Sequence, residues 1–152
     1  MKTLTTAHFG TIRLDEESTL EFPEGLPGFE DHRAFAAIQH PANEAVVFLQ
    51  AIDRPEVCFV AVPVRVWRSD YELEISPEDL ATLGRPADSR PEIGTDVIAL
   101  AIVSLVEGEP PTANLLSPVV IDRKTRRAVQ AIRPDGRYTC REPLAAGELV
   151  CS

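Results

Sequence analysis

Val97-Ile98-Ala99-Leu100-Ala101-Ile102-Val103-Ser104-Leu105-Val106 is the longest apolar stretch of this 152-residue chain. Its Val and Ile content favours a strand over a helix. The scarcity of polar residues places that strand at the centre of a sheet. The stretch is far shorter than the ~20 apolar residues a bilayer-spanning helix requires. On both sides the chain breaks into short β-type runs punctuated by 13 prolines, a pattern of sheet proteins rather than linkers.

Upstream, a first hairpin is expected around Phe9-Gly10-Thr11, with Ile12 and Leu14 alternating against polar neighbours. Further strands are read over residues 19–22, 35–39, 45–52 and 57–66. Tyr71-Glu72-Leu73-Glu74-Ile75 alternates with period two, which predicts a strand with its acids on one face. Ser76-Pro77-Glu78-Asp79 then supplies an N-cap, a proline at the first helical position and acids in the first turn. Gly84 provides the stop, so one short helix is predicted over 77–83. Residues 85–94 read as a loop. Downstream, strands are expected over 113–121 and 128–132, with Pro134-Asp135-Gly136 as a turn. Eight to ten short strands with one helix make a mainly all-β chain, a small antiparallel barrel or sandwich, and residues 1–152 read as a single domain.

The net charge of −9 is unevenly spread: residues 1–84 hold 15 acids and 6 bases, residues 85–152 hold 9 of each. Excess negative charge disfavours direct nucleic-acid binding, which depends on neutralising phosphates. It suits a basic partner, or serves solubility alone. Cys58, Cys140 and Cys151 are an odd, irregularly spaced set, which argues for a reducing compartment rather than a disulfide framework. Met1-Lys2-Thr3-Leu4 has no apolar core behind it and is not a secretory signal. The expected location is the cytoplasm.

Catalytic signatures are missing. There is no Gly-rich phosphate loop, no Gly-x-Ser-x-Gly elbow and no Cys-x-x-Cys pair. His8, His32 and His40 lack metal-ligand spacing, and no cofactor is expected. Arg123-Lys124-Thr125-Arg126-Arg127 is the one basic run. It reads as a charged hairpin turn guarding a sheet edge, since no aromatic side chains are interleaved to stack on bases. Paired acids such as Glu72 and Glu74 leave one alternative, an enzyme acting on a small ligand or carbohydrate through carboxylates clustered in a barrel cavity.

The most specific local feature is Phe22-Pro23-Glu24-Gly25-Leu26-Pro27-Gly28-Phe29-Glu30. Its turns are bracketed by two phenylalanines that anchor a rigid loop, a form that binds partners at low ordering cost. This segment resembles the signature of the FliW family of flagellar assembly factors. Three further pieces agree in order and spacing: residues 69–80, residues 97–103, and Thr112-Ala113-Asn114-Leu115-Leu116-Ser117-Pro118-Val119-Val120-Ile121 followed by Arg126-Arg127-Ala128-Val129-Gln130. The chain departs from the family at Val62, where members often carry an acid before the proline.

The resemblance implies a barrel-like protein without enzymatic activity and with two protein partners. One is CsrA, a small RNA-binding translational regulator, which the family binds and stops from repressing flagellin translation. The other is flagellin, which takes the family member from CsrA. Neither a membrane nor direct nucleic acid is implied, and a monomer is expected. Placed on this chain by motif position, Asp70, Glu72 and Glu74 would face the basic regulator. Leu26 and Pro27, beside Asn114, Leu116 and Ser117, would form an apolar patch with polar contacts for flagellin.

Overall fold

The computed structural model describes residues 2–6, 10–14, 19–26, 31, 33–39, 45–104, 107–132 and 138–143. The chain opens with β1 (Lys2–Thr6) and β2 (Gly10–Leu14), an antiparallel ribbon with Leu4 opposite Ile12. Next come β3 (Thr19–Glu21), β4 (Ala34–Gln39), β5 (Val47–Ala51) and β6 (Cys58–Pro63). Two short helices, α1 (Val64–Trp67) and α2 (Pro77–Leu83), lead to β7 (Val97–Ser104). The remaining strands are β8 (Thr112–Ala113), β9 (Val119–Asp122), β10 (Ala128–Gln130) and β11 (Glu142–Pro143).

Seven strands lie in the order β10-β9-β7-β6-β5-β4-β3, every pairing antiparallel. The two ends of this order meet. The Glu21 amide donates to the Arg126 carbonyl at 3.0 Å, and Glu21 forms a parallel bridge with Arg127. The sheet thus curls into a nearly closed barrel. Its axis is filled by one buried cluster that includes Leu20, Phe22, Phe35, Leu49, Ala61, Leu100, Val119 and Ala128, so each of the seven strands or its flank contributes. The Phe22 and Phe35 rings meet edge to face with centroids 5.1 Å apart, an arrangement worth about 0.5–1.5 kcal/mol beyond the area it buries.

β7 explains why its sequence reads as a continuous apolar run. Leu100 and Ile102 point into the barrel. Val97, Ala99, Ala101 and Val103 point outward but are covered there too. The cover consists of Val64 and Trp67 of α1, the chain through Tyr71, Leu73 and Ile75, and Leu83 of α2. A strand buried on both faces loses the polar half of its alternation.

The helix α2 has the bounds its capping residues predict. The Ser76 hydroxyl accepts from the Asp79 amide at 3.2 Å, and Pro77 sits in the first turn. At the other end Gly84 adopts φ +85, its amide donating to Ala81 and that of Arg85 to Leu80. This paired closure satisfies the last carbonyls and requires the left-handed conformation that glycine adopts freely. Ser76→Ala is expected to cost about 1 kcal/mol, read as a lower urea midpoint with unchanged slope. An unchanged midpoint would show that the cap is dispensable.

Three expected strands are corrected. Residues 57–66 do not run as one strand, because β6 stops at Pro63 and Val64–Trp67 coils into a helical turn, with the Arg68 amide donating to the Val64 carbonyl at 2.8 Å. Proline has no amide to continue a ladder, and the three-residue spacing of Val64 and Trp67 buries both from a helix. Residues 71–75 pair with no strand. They keep the alternation, Tyr71 buried and Glu72 and Glu74 exposed, but as a strap laid across the outside of the barrel. Residues 113–121 are split. The Ser117 amide turns back to the Asn114 side-chain oxygen at 2.9 Å, and Pro118 cannot donate, so β8 pairs with the far half of β7 and β9 with its near half.

Cys58 and Cys140 are free thiols; burial pushes the Cys58 thiol up, as for a small core residue rather than a nucleophile. Cys151, His8, His32, His40 and the 134–136 turn lie outside the described residues, as does the loop of the first hairpin, whose two strands pair as expected. The basic run does form the β9–β10 turn, but the edge it was expected to guard is tied across the barrel seam through Arg126 and Arg127.

Candidate functional site

Two clefts of different chemistry open on the described surface. The first, about 570 Å³, lies between the strap, the start of α2 and the loop that follows that helix. Leu73, Ile75 and Leu80 supply its apolar lining, and Glu72, Glu74, Asp88 and Arg90 its charge. From residue 69 to residue 84 the chain carries Asp70, Glu72, Glu74, Glu78 and Asp79 and no Lys or Arg. Burial, together with the nearby Glu24 and Glu78 carboxylates, pushes the Asp79 carboxyl up against the opposing effect of the Ser76 hydrogen bond. Glu24, although distant in sequence, therefore adds to the same negative field.

The second cleft, about 440 Å³, is the mouth of the barrel at the end where β7 finishes. Leu26, Phe59 and Ile102 form its floor and belong to the barrel core. Ser104, Asn114, Ser117, Gln130, Ile132 and Cys140 form its rim. Ile132 is 62% exposed, the most exposed large apolar side chain among the described residues. The polar rim is braced rather than loose. The Asn114 amide donates to the Ile102 carbonyl at 2.9 Å, and the Gln130 side-chain amide donates to the Ser117 carbonyl at 3.0 Å. A cleft with an apolar floor and a hydrogen-bonded polar rim fits an apolar side chain carried on a peptide.

The residues expected from sequence fall into these clefts unevenly. Glu72 and Glu74 line the first; Leu26, Asn114 and Ser117 line the second. Asp70 is exposed at the start of the strap and lines neither. Leu116 is half-buried beside the mouth, its amide donating to the Thr139 carbonyl at 3.1 Å. Leu26, expected on a loop, is 2% exposed and acts from the floor. Gly25, at φ +67, turns it inward, its amide donating to the Phe22 carbonyl at 2.9 Å. Pro27 lies outside the described residues.

Among the described residues no group of three or more His, Cys, Asp and Glu side chains could hold a metal ion, and no helix is long and apolar enough to cross a membrane.

Comparison with known proteins adds what geometry alone does not. The family model described as FliW protein matches residues 3–144. The chain belongs to the FliW family. A FliW relative from Caldanaerobacter subterraneus subsp. tengcongensis, named flagellar assembly factor FliW, is 33% identical over 142 residues, covering 93% of this chain and 91% of its own. Relatives of the same name from Syntrophotalea carbinolica and Carboxydothermus hydrogenoformans are 31% and 36% identical, covering 96% and 90% of this chain and 100% and 84% of their own. A crystal structure of the flagellar assembly factor FliW superposes with a TM-score of 0.81 over 97% of this chain and 100% of its own, at 24% identity, which supports the barrel.

Several residues of the mouth were not expected from the sequence: Phe59, Ile102, Ser104, Gln130, Ile132 and Cys140. Ile102 and Ser104 carried a usable signal, since they share the inward parity of Leu100 on β7. The others meet only through strand register.

Proposed function

We propose that this chain is a non-enzymatic flagellar assembly factor of the cytoplasm that binds two proteins in turn. Bound to a CsrA-type regulator, it relieves repression of flagellin translation. Bound to flagellin, it lets the regulator go. The family match over residues 3–144 carries this reading, together with the name shared by relatives that align along nearly their full length.

The two clefts are consistent with two partners of opposite character. An RNA-binding regulator presents basic surface, and the acidic strap with Asp70, Glu72 and Glu74 suits it by charge. Unassembled flagellin has apolar segments without their filament neighbours, and the mouth formed by Leu26, Asn114 and Ser117 suits such a segment. The alternative, a carboxylate enzyme with a barrel cavity, needs space along the barrel axis, where Phe22, Phe35, Leu49 and their neighbours are packed. Glu72 and Glu74 stand outside the barrel and are exposed.

A titration of purified flagellin into the preformed complex with CsrA tests the switch. Release of CsrA as flagellin rises is expected, with a tenfold shift in occupancy corresponding to about 1.4 kcal/mol. A ternary complex that persists at saturating flagellin would leave only independent binding.

A further inference from the structure

The two clefts share no lining residue, yet one side chain belongs to the chain segments behind both. Tyr71 opens the acidic strap and is 1% exposed. Its hydroxyl donates a buried hydrogen bond of 2.9 Å to the carbonyl of Leu115, the residue between Asn114 and Leu116 at the mouth. Its ring stacks on Tyr138, with centroids 4.6 Å apart and planes 28° from parallel. Tyr138 lies two positions before Cys140, another rim residue. The two mouth segments are joined to each other as well, since the Leu115 and Leu116 amides both donate to the Thr139 carbonyl at 3.1 Å.

We infer that Tyr71 is a positioning residue that couples the two clefts, so that filling the mouth re-sets the acidic strap. This deepens the two-partner reading and rests on it. An apolar side chain seated on Leu26, Phe59 and Ile102 presses on the rim at Asn114, Ser117 and Cys140. These residues sit on the two segments that Tyr71 holds by its hydroxyl and its ring face. A buried hydroxyl cannot give up its acceptor without cost, so the strap follows the rim when the rim moves. The acids displaced with the strap are those proposed to meet the basic regulator. The partners then exclude one another without touching the same residues, and by thermodynamic linkage each weakens the other by the same factor.

The variant Tyr71→Phe keeps the ring and its stacking and removes the hydroxyl bond. In the intact chain, saturating flagellin is expected to weaken CsrA binding at least tenfold, about 1.4 kcal/mol. In Tyr71→Phe each partner alone should bind within about threefold of the intact chain, while the coupling factor falls towards one and a ternary complex accumulates in size-exclusion chromatography. A merely structural role would lower stability and both affinities without separating them from exclusion. Hydrogen exchange on the intact chain gives a second reading that needs no variant. The Leu115, Leu116 and Tyr71 amides should exchange several-fold faster once flagellin is bound. Full exclusion retained by folded Tyr71→Phe, or exchange at those amides unchanged by flagellin, would overturn the role of Tyr71 and leave the two-partner reading standing. An intact chain that binds neither CsrA nor flagellin would overturn both.

Discussion

Asp122→Ala is expected to destabilise the chain by about 3 kcal/mol at neutral pH, a large share of the ~5–15 kcal/mol that holds a domain of this size folded. Asp122 is 1% exposed at the end of β9. One carboxylate oxygen accepts from the Lys124 and Thr125 amides at 2.9 and 3.1 Å, closing the β9–β10 turn. The other takes the Arg85 guanidinium, which follows α2 and so ties the helix to the sheet. Burial pushes this carboxyl up, but the two amides and Arg85 outweigh it and hold it below the ordinary aspartate value.

The sign of the pH dependence follows. The unfolded state binds a proton near pH 4, before the folded state does. The stabilisation is complete above that pH and fades as pH falls through the lower folded value. Urea unfolding of the intact chain and Asp122→Ala at pH 7 and pH 3 should therefore show a wide gap that narrows in acid. A gap under about 1 kcal/mol at pH 7 would mean that the turn closes without its anchor.

A second large effect is expected from reversing the strap. Replacing Asp70, Glu72 and Glu74 together by lysine should weaken CsrA binding about a hundredfold, or ~2.7 kcal/mol. All three residues are exposed, and none belongs to a strand ladder, so the thermal midpoint should move by only a few degrees. Most of the loss should appear in the association rate, and raising salt should slow association to the intact chain far more than it speeds dissociation. Binding unchanged in the folded triple variant would remove this face from the proposal. Flagellin binding serves as the internal control, since the mouth shares no residue with the reversed surface.

What the sequence made legible follows the range of the interactions involved. Ser76, Pro77 and Gly84 act within a few residues of one another, and α2 appears with the bounds they specify. β7 was readable because burial on both faces leaves a continuous apolar run. The failures at residues 64–67 and 71–75 have different causes. Val64, Val66 and Trp67 have strand-like composition, but Pro63 ends β6 and a helical turn buries Val64 and Trp67 together. Tyr71 to Ile75 has strand-like alternation, but a ladder requires a partner edge and these residues pair with none. Alternation there records a half-buried surface, which a strap satisfies as well as a strand. In the same way Leu26, Asn114 and Ser117 could be placed by motif position. Phe59, Gln130 and Ile132 reach the mouth only because the barrel register carries them there.

The seam of the barrel sets a condition on how the molecule is made. The Glu21 amide meets a carbonyl roughly a hundred residues further along the chain, at typical elongation rates some 5–20 s later in synthesis. Until that residue has emerged, Leu20, Phe22, Phe35 and Leu49 lack the partners from β9 and β10 that complete their cluster in the barrel. Contacts of such long sequence separation close late and slowly. The apolar side chains of the first third are thus covered only when the strands carrying Val119, Ile121 and Ala128 arrive.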